Sequence, residues 1–245
     1  MIIIVKRNEY IINRIFTPLR NWSWLFIPLV ALVGLWYPKM GLLMIPMMIA
    51  LPILGFFKGK FWCGNICPHG SLFDRFIYPI SFNKKIPAWA KAKITLVLAF
   101  IFFMFMFTKR VLAVTALWGT TPFLDKLGFI FVMNYFMVTI IGTFLAFFIN
   151  PRTWCRFCPM ATFQLLAYKL GKFLKANKKT DAVITISNNQ ECLNCGKCAK
   201  VCPVDLSPYQ EISTKGQLEN EACIRCSTCV VYCPVNILSL KCHQT

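Results

Sequence analysis

Histidine and acid are what this sequence has least of. Two His residues occur in 245, His69 and His243. Neither lies inside a long apolar run, so no pair of imidazoles is available to grip a haem within a membrane. Nine Asp and Glu stand against 27 Lys and Arg, for a formal charge of +18. No Ser–His–Asp set, phosphate-cradling Gly loop or dinucleotide Gly motif is present, which leaves no residues for hydrolytic, nucleotide-driven or hydride chemistry. Base-stacking motifs and a soluble basic domain are also missing, so the positive excess reads as membrane-flanking loops and not as a nucleic-acid surface. The start of the chain carries Lys6, Arg7, Arg14 and Arg20 without a long apolar core or a small-residue cleavage site. It does not read as a signal peptide, and the first apolar segment is expected to stay in the mature chain.

Apolar residues are plentiful. They make up 57% of the chain, with 23 Phe and a mean hydropathy of +0.58, too apolar for an ordinary soluble domain. Four runs, Trp22 to Tyr37, Met40 to Phe57, Ile94 to Phe107 and Leu127 to Phe148, predict four transmembrane helices arranged as two hairpins, with Val111 to Trp118 continuing the third. All seven Trp fall at or near segment ends, as an interfacial belt requires. Charge sets the orientation. With the N-terminus inside, 23 of the 27 cations lie on the inner side, and Lys39, Lys109, Arg110 and Lys126 lie outside. Both termini are then expected in the cytoplasm, with the chain a multi-pass protein of the cytoplasmic membrane.

Thirteen Cys residues in clustered spacing suit metal ligation in a reducing compartment better than a disulfide framework. Eight of them form a repeat in the tail: Cys192, Cys195, Cys198 and Cys202 recur 31 residues later as Cys223, Cys226, Cys229 and Cys233. Each motif is C-x2-C-x2-C-x3-C-P, which wraps three thiolates around one [4Fe–4S] cubane and sends the fourth to the other. Cluster 1 then takes Cys192, Cys195, Cys198 and Cys233. Cluster 2 takes Cys223, Cys226, Cys229 and Cys202. Paired zinc knuckles are the weaker alternative, because zinc sites rarely run three Cys at such even steps into Cys-Pro.

Four more Cys stand where the second and fourth apolar runs end, in Trp62-Cys63-Gly64-Asn65-Ile66-Cys67-Pro68 and Trp154-Cys155-Arg156-Phe157-Cys158-Pro159. Both elements carry Trp-Cys, then Cys-Pro, so the membrane part is itself an internal repeat of hairpin plus motif. Cys63, Cys67, Cys155 and Cys158 are expected on the same inner face, where they would hold a third [4Fe–4S] cluster, a structural zinc or no metal at all; Cys242 is left over. His69 reads as a solvated loop residue, and Asn134 and Tyr135 as polar groups satisfied by helix packing. Phe163, Leu166, Leu170 and Phe173 with interposed Lys residues predict a basic amphipathic helix near 160–176. Asn177 to Asp181 reads as a polar linker. The expected organisation is a basic N-terminal segment over 1–21, a membrane domain over 22–176 and a small α+β ferredoxin-like domain over 177–245.

The tail resembles a bacterial two-cluster ferredoxin. The whole layout, with its C-x3-C-P element at Cys63 to Pro68 and the following double-cluster domain, resembles the polyferredoxin-like membrane proteins of the NapH, NosR and CcoG kind; the second element is shorter, with two residues between Cys155 and Cys158. The resemblance implies a membrane-bound electron-transfer component, not a stand-alone enzyme. It would relay electrons between a haem-, flavin- or iron–sulfur-bearing partner subunit and a quinone pool in a respiratory-type complex. The alternative it implies is an assembly factor that delivers electrons to a client metalloenzyme.

Overall fold

The computed structural model describes residues 12–120, 122–213 and 216–242. Four of its helices are long and apolar enough to cross a bilayer: α1 (Pro18–Trp36), α2 (Pro38–Lys58), α3 (Lys93–Thr115) and α4 (Phe123–Phe148). Pro18 opens α1, where its missing N–H leaves no hydrogen bond unmade. Tyr37 breaks the helix, and Pro38 starts α2. Gly59, at φ +58, ends α2 in a conformation that favours glycine. Along α3, Ile94, Leu98, Ile101, Phe102 and Phe105 stand bare, an apolar surface of the kind that hydrocarbon covers. The starts of α2 and α4 meet at Gly41 and Gly128, where a Cβ on Gly128 would lie 2.1 Å from the Pro38 carbonyl. Only small residues allow helices that close an approach.

The expected continuation of the third run holds as far as Thr115, where α3 ends. The amphipathic segment forms α5 (Pro159–Phe173). Its face of Ala161, Thr162, Gln164, Tyr168 and Gly171 is buried, with Gln164 and Gly171 against Gly55 and Phe56 of α2, and its Phe163, Leu166, Leu170 and Phe173 stripe is left exposed.

Beyond α5 the chain forms a small unit around a two-stranded antiparallel sheet, β1 (Ala182–Ile186) with β2 (Leu238–Cys242), in the register Ala182 to Cys242 and Ile186 to Leu238. The Cys repeat is also a backbone repeat. Asn194 and Arg225, Gly196 and Ser227, and Asp205 and Asn236 form pairs 31 residues apart, and all six have positive φ near +50 to +67. The unit's core, with Ile184, Val201, Leu218, Ile224 and Ile237, is continuous with Cys63 and Ala161 of the helical part.

Several expectations need correction. Asn177 and Asp181 are not a free polar linker. Both are buried, and Asp181 holds Arg225 at 2.6 Å and accepts a hydrogen bond from the Tyr168 hydroxyl at 2.8 Å. Trp22, Trp36, Trp89 and Trp118 are exposed at helix ends as a belt requires, but Trp62 is buried and Trp154 packs on Phe157. Within the basic N-terminal segment Arg14 and Arg20 are buried instead of reaching solvent. Lys6, Arg7 and His243 lie outside the described residues.

Candidate functional site

The two Cys-Pro elements fold alike although one is a residue longer. Cys63 lies in a short helix, Phe61–Asn65, and Cys67 caps the helix Pro68–Leu72. Cys155 lies in Thr153–Phe157, and Cys158 caps α5. In both, the capping Cys is extended (ψ 121 and 128) and the following Pro takes the first helical position. The additional residue, Ile66, is taken up at φ −124 before the cap.

Because α2 and α4 end at the same side of the bundle, the two elements meet. Cys63, Cys67, Cys155 and Cys158 line one cavity of about 120 Å³ that runs between the helices to Met44, Met47, Phe107 and Phe131. In the tail, Cys192, Cys195, Cys198 and Cys233 line a second, smaller cavity closed by Pro234. Cys202 neighbours Cys223, Cys226 and Cys229. Among the described residues no three Cys, His, Asp or Glu side chains close on a point fit for a single ion. Burial holds the Cys63 and Cys67 thiols above their ordinary range and pushes Cys158 up to about 12. As bare thiols they would be poor nucleophiles.

A buried charge network latches the two elements together. Asp74, from the π-helical turn Phe73–Ile77, is fully buried and takes Arg20 of α1 on one side and Arg152 on the other, with Arg152 Nη2 at 2.6 Å. Arg152 also donates to the Cys63 carbonyl at 3.1 Å and to Cys155 Sγ at 3.6 Å, so one guanidinium spans both Cys-Pro elements. Arg20 donates to the Gly64 carbonyl, and Arg14 lies 4.0 Å from the same Asp74. Three buried guanidiniums thus share one carboxylate. Buried charge that exceeds its partners is costly unless an anion completes it, and a cluster held by four thiolates is an anion. Burial pulls the Arg152 pKa down, but Cys155, Cys67 and Cys226 outweigh it and leave it raised.

The cavity wall corrects two further expectations. His69 is buried, not solvated. Its Nε2 is 2.9 Å from Thr139 Oγ1, its ring packs 4.6 Å from that of Tyr135, and burial lowers its pKa to about 4. Asn134 and Tyr135 are not satisfied by packing, since the Asn134 amide nitrogen and the Tyr135 hydroxyl are both buried without a hydrogen-bond partner.

The tail docks directly on the first Cys-Pro element. A Cβ on Gly64 would lie 2.0 Å from the Ile224 carbonyl and 3.3 Å from the Cys226 nitrogen, and Asn65 donates to the Arg225 carbonyl at 3.2 Å. Only glycine lets the loop of one candidate cluster rest on the backbone of the next.

The family model described as "4Fe-4S binding domain" matches residues 40–87 and again 131–178, once for each half of the helical repeat. The model described as "4Fe-4S dicluster domain" matches residues 184–235. The matched segments are thus iron–sulfur binding domains, which indicates iron–sulfur electron transfer. Among curated proteins, an uncharacterized protein of Methanocaldococcus jannaschii is 24% identical over 184 residues, 70% of each chain. No solved structure matches.

Proposed function

We propose that the chain is a membrane-bound electron-transfer subunit holding three [4Fe–4S] clusters in line, two in the tail and one between the Cys-Pro elements, and that it exchanges electrons with quinone at its inner face. The observation that carries this reading is the single cavity that gathers Cys63, Cys67, Cys155 and Cys158 from two distant hairpins and continues to the unpartnered Asn134 and Tyr135 donors. The clusters would supply one-electron transfer; the chain supplies ligands, spacing and charge. Cys192, Cys195, Cys198 and Cys233 would hold the outermost cluster, where Cys195 and Leu193 are exposed to a partner subunit with its own haem, flavin or cluster. Cys223, Cys226, Cys229 and Cys202 would hold the middle one, against Gly64. In the cavity the Tyr135 hydroxyl and the Asn134 amide would donate to a quinone oxygen. Electrons would pass singly, so each quinol oxidised delivers two electrons and two protons, and each quinone reduced consumes the same.

Every ligand set lies at one end of the four helices, and the bilayer core is about 30 Å thick. Transmembrane flow therefore needs the diffusing quinone or a partner. The positive-inside count favours the cytoplasm for that end. The test is iron content together with reduction by quinol. An anaerobically purified chain should carry about twelve iron atoms, four per cubane, and a short-chain quinol should reduce the membrane-edge cluster. A fully loaded sample that plateaus at eight iron atoms refutes the third cluster. Twelve iron atoms with no response to quinol refutes the quinone site alone.

A further inference from the structure

A cleft between the inner loop and the tail domain adjoins the relay, with Cys202 on its wall, but supplies it no further ligand. It has a volume of about 580 Å³ and is lined by Arg14, Lys84, Lys85, Lys91 and Lys200, with Asp205 the acid on its wall among the described residues. Asp205 is already engaged: its carboxylate accepts from the Ile86 N–H at 2.7 Å and pairs with Lys91 at 3.2 Å. The loop that presents the lysines is fixed, with Lys84 N donating to the Ile149 carbonyl at 2.8 Å and the Asn150 amide to the Lys84 carbonyl at 3.1 Å.

Arg14 is the informative residue. It is 6% exposed, with its guanidinium over the Tyr78 ring at 3.9 Å, and its Nε and Nη1 have no hydrogen-bond partner. Its nearest acid, Asp74 at 4.0 Å, is taken up by Arg20 and Arg152. A buried guanidinium in excess of its carboxylate favours an anion nearby. Arg14 supplies that charge at the cleft wall, and lysines from two directions supply donors for the several oxygens of a phosphate.

We propose that this cleft binds one phosphate-bearing anion, seated against Arg14 and held by Lys84, Lys85 and Lys200. The group can be a phospholipid headgroup or a soluble phosphate; the chemistry is shared. It differs from the general attraction of basic loops to anionic lipid in being a single saturable site that requires Lys200, which belongs to the tail domain and not to the membrane-flanking loop.

The test is native mass spectrometry of the iron-loaded full chain in detergent. One arm is titrated with dioctanoyl phosphatidylglycerol, another with inorganic phosphate, and dioctanoyl phosphatidylcholine is the charge control. One adduct per chain should saturate. A K84Q/K85Q/K200Q variant with unchanged iron content should bind about 30-fold more weakly, and K200Q alone should weaken binding. K39Q, at an exposed Lys39 near Asp125, should leave binding unchanged. Saturation only by phosphatidylglycerol assigns the site to lipid, and saturation by inorganic phosphate assigns it to a soluble anion. Binding that never saturates, or that survives in the triple variant or in K200Q, overturns the proposal.

Discussion

Replacing Arg152 by Gln should lower the reduction potential of the membrane-edge cluster more than that of any other. Arg152 Nη1 stands 3.6 Å from Cys155 Sγ and 3.1 Å from the Cys63 carbonyl. At that separation a unit charge acting on one added electron is worth about 4 to 5 kcal/mol for an effective dielectric near 20. The electron is shared across a whole cluster and Asp74 offsets part of the charge, so we expect about 2 kcal/mol, or about 90 mV for a one-electron couple. R152K keeps the charge and loses the planar fork, and should shift the potential less. The assay is an anaerobic redox titration followed by electron paramagnetic resonance, in which the outermost tail cluster serves as internal standard in the same sample. Removing one member of a buried ion network also destabilises, by about 3 to 5 kcal/mol, so iron content is measured alongside. An R152Q chain with full iron and an unshifted edge potential would refute the electrostatic role. Equal shifts in all three clusters would refute its locality.

Other outcomes follow from the same geometry. C202S should perturb the cluster held by Cys223, Cys226 and Cys229 and leave the Cys192 to Cys198 set intact; spectra that lose the latter alone contradict the crossed pairing. G64L should push Ile224 away from the first Cys-Pro element and slow electron exchange between tail and membrane-edge clusters while iron stays bound, as read by freeze-quench kinetics. D181N, which strips Arg225 and Tyr168 of their buried partner, should loosen the tail by about 3 kcal/mol and raise its proteolysis; an unchanged digestion pattern would mean the Asp181 contact does not anchor it. A reporter fused after Thr245 should be active in the cytoplasm, and activity outside would reverse the orientation.

The long helices were legible because a run of apolar residues can do little else, and the tail's dicluster domain because C-x2-C-x2-C-x3-C-P has few other uses. The charge network was not. Arg14, Arg20 and Arg152 look in the sequence like any other inner-side cations, and burial depends on contacts between segments as far apart as Arg20 and Arg152. One signal was available: Asp74 is the sole acid between residues 58 and 93, a stretch with seven cations, in a chain with nine acids in all. An isolated carboxylate in such surroundings marks a place where cations converge. Likewise, nothing in the order of residues distinguishes a polar group satisfied within its helix from Asn134 and Tyr135, whose amide and hydroxyl face a cavity. The linker reading of Asn177 to Asp181 failed for a related reason, since polarity alone does not reveal a partner such as Arg225.

The latch of Asp74 by Arg20 and Arg152 also bears on how the protein is made. Asp74 and Cys63 emerge early in synthesis, whereas Arg152 and Cys155 follow only after α3 and α4. A nascent chain that ends before residue 150 has two of the four thiols and lacks Arg152, the cation that spans both elements. If the four thiols hold a cluster as proposed, its loading would wait for the second hairpin, and a chain truncated between the halves would be both unlatched and without that cluster.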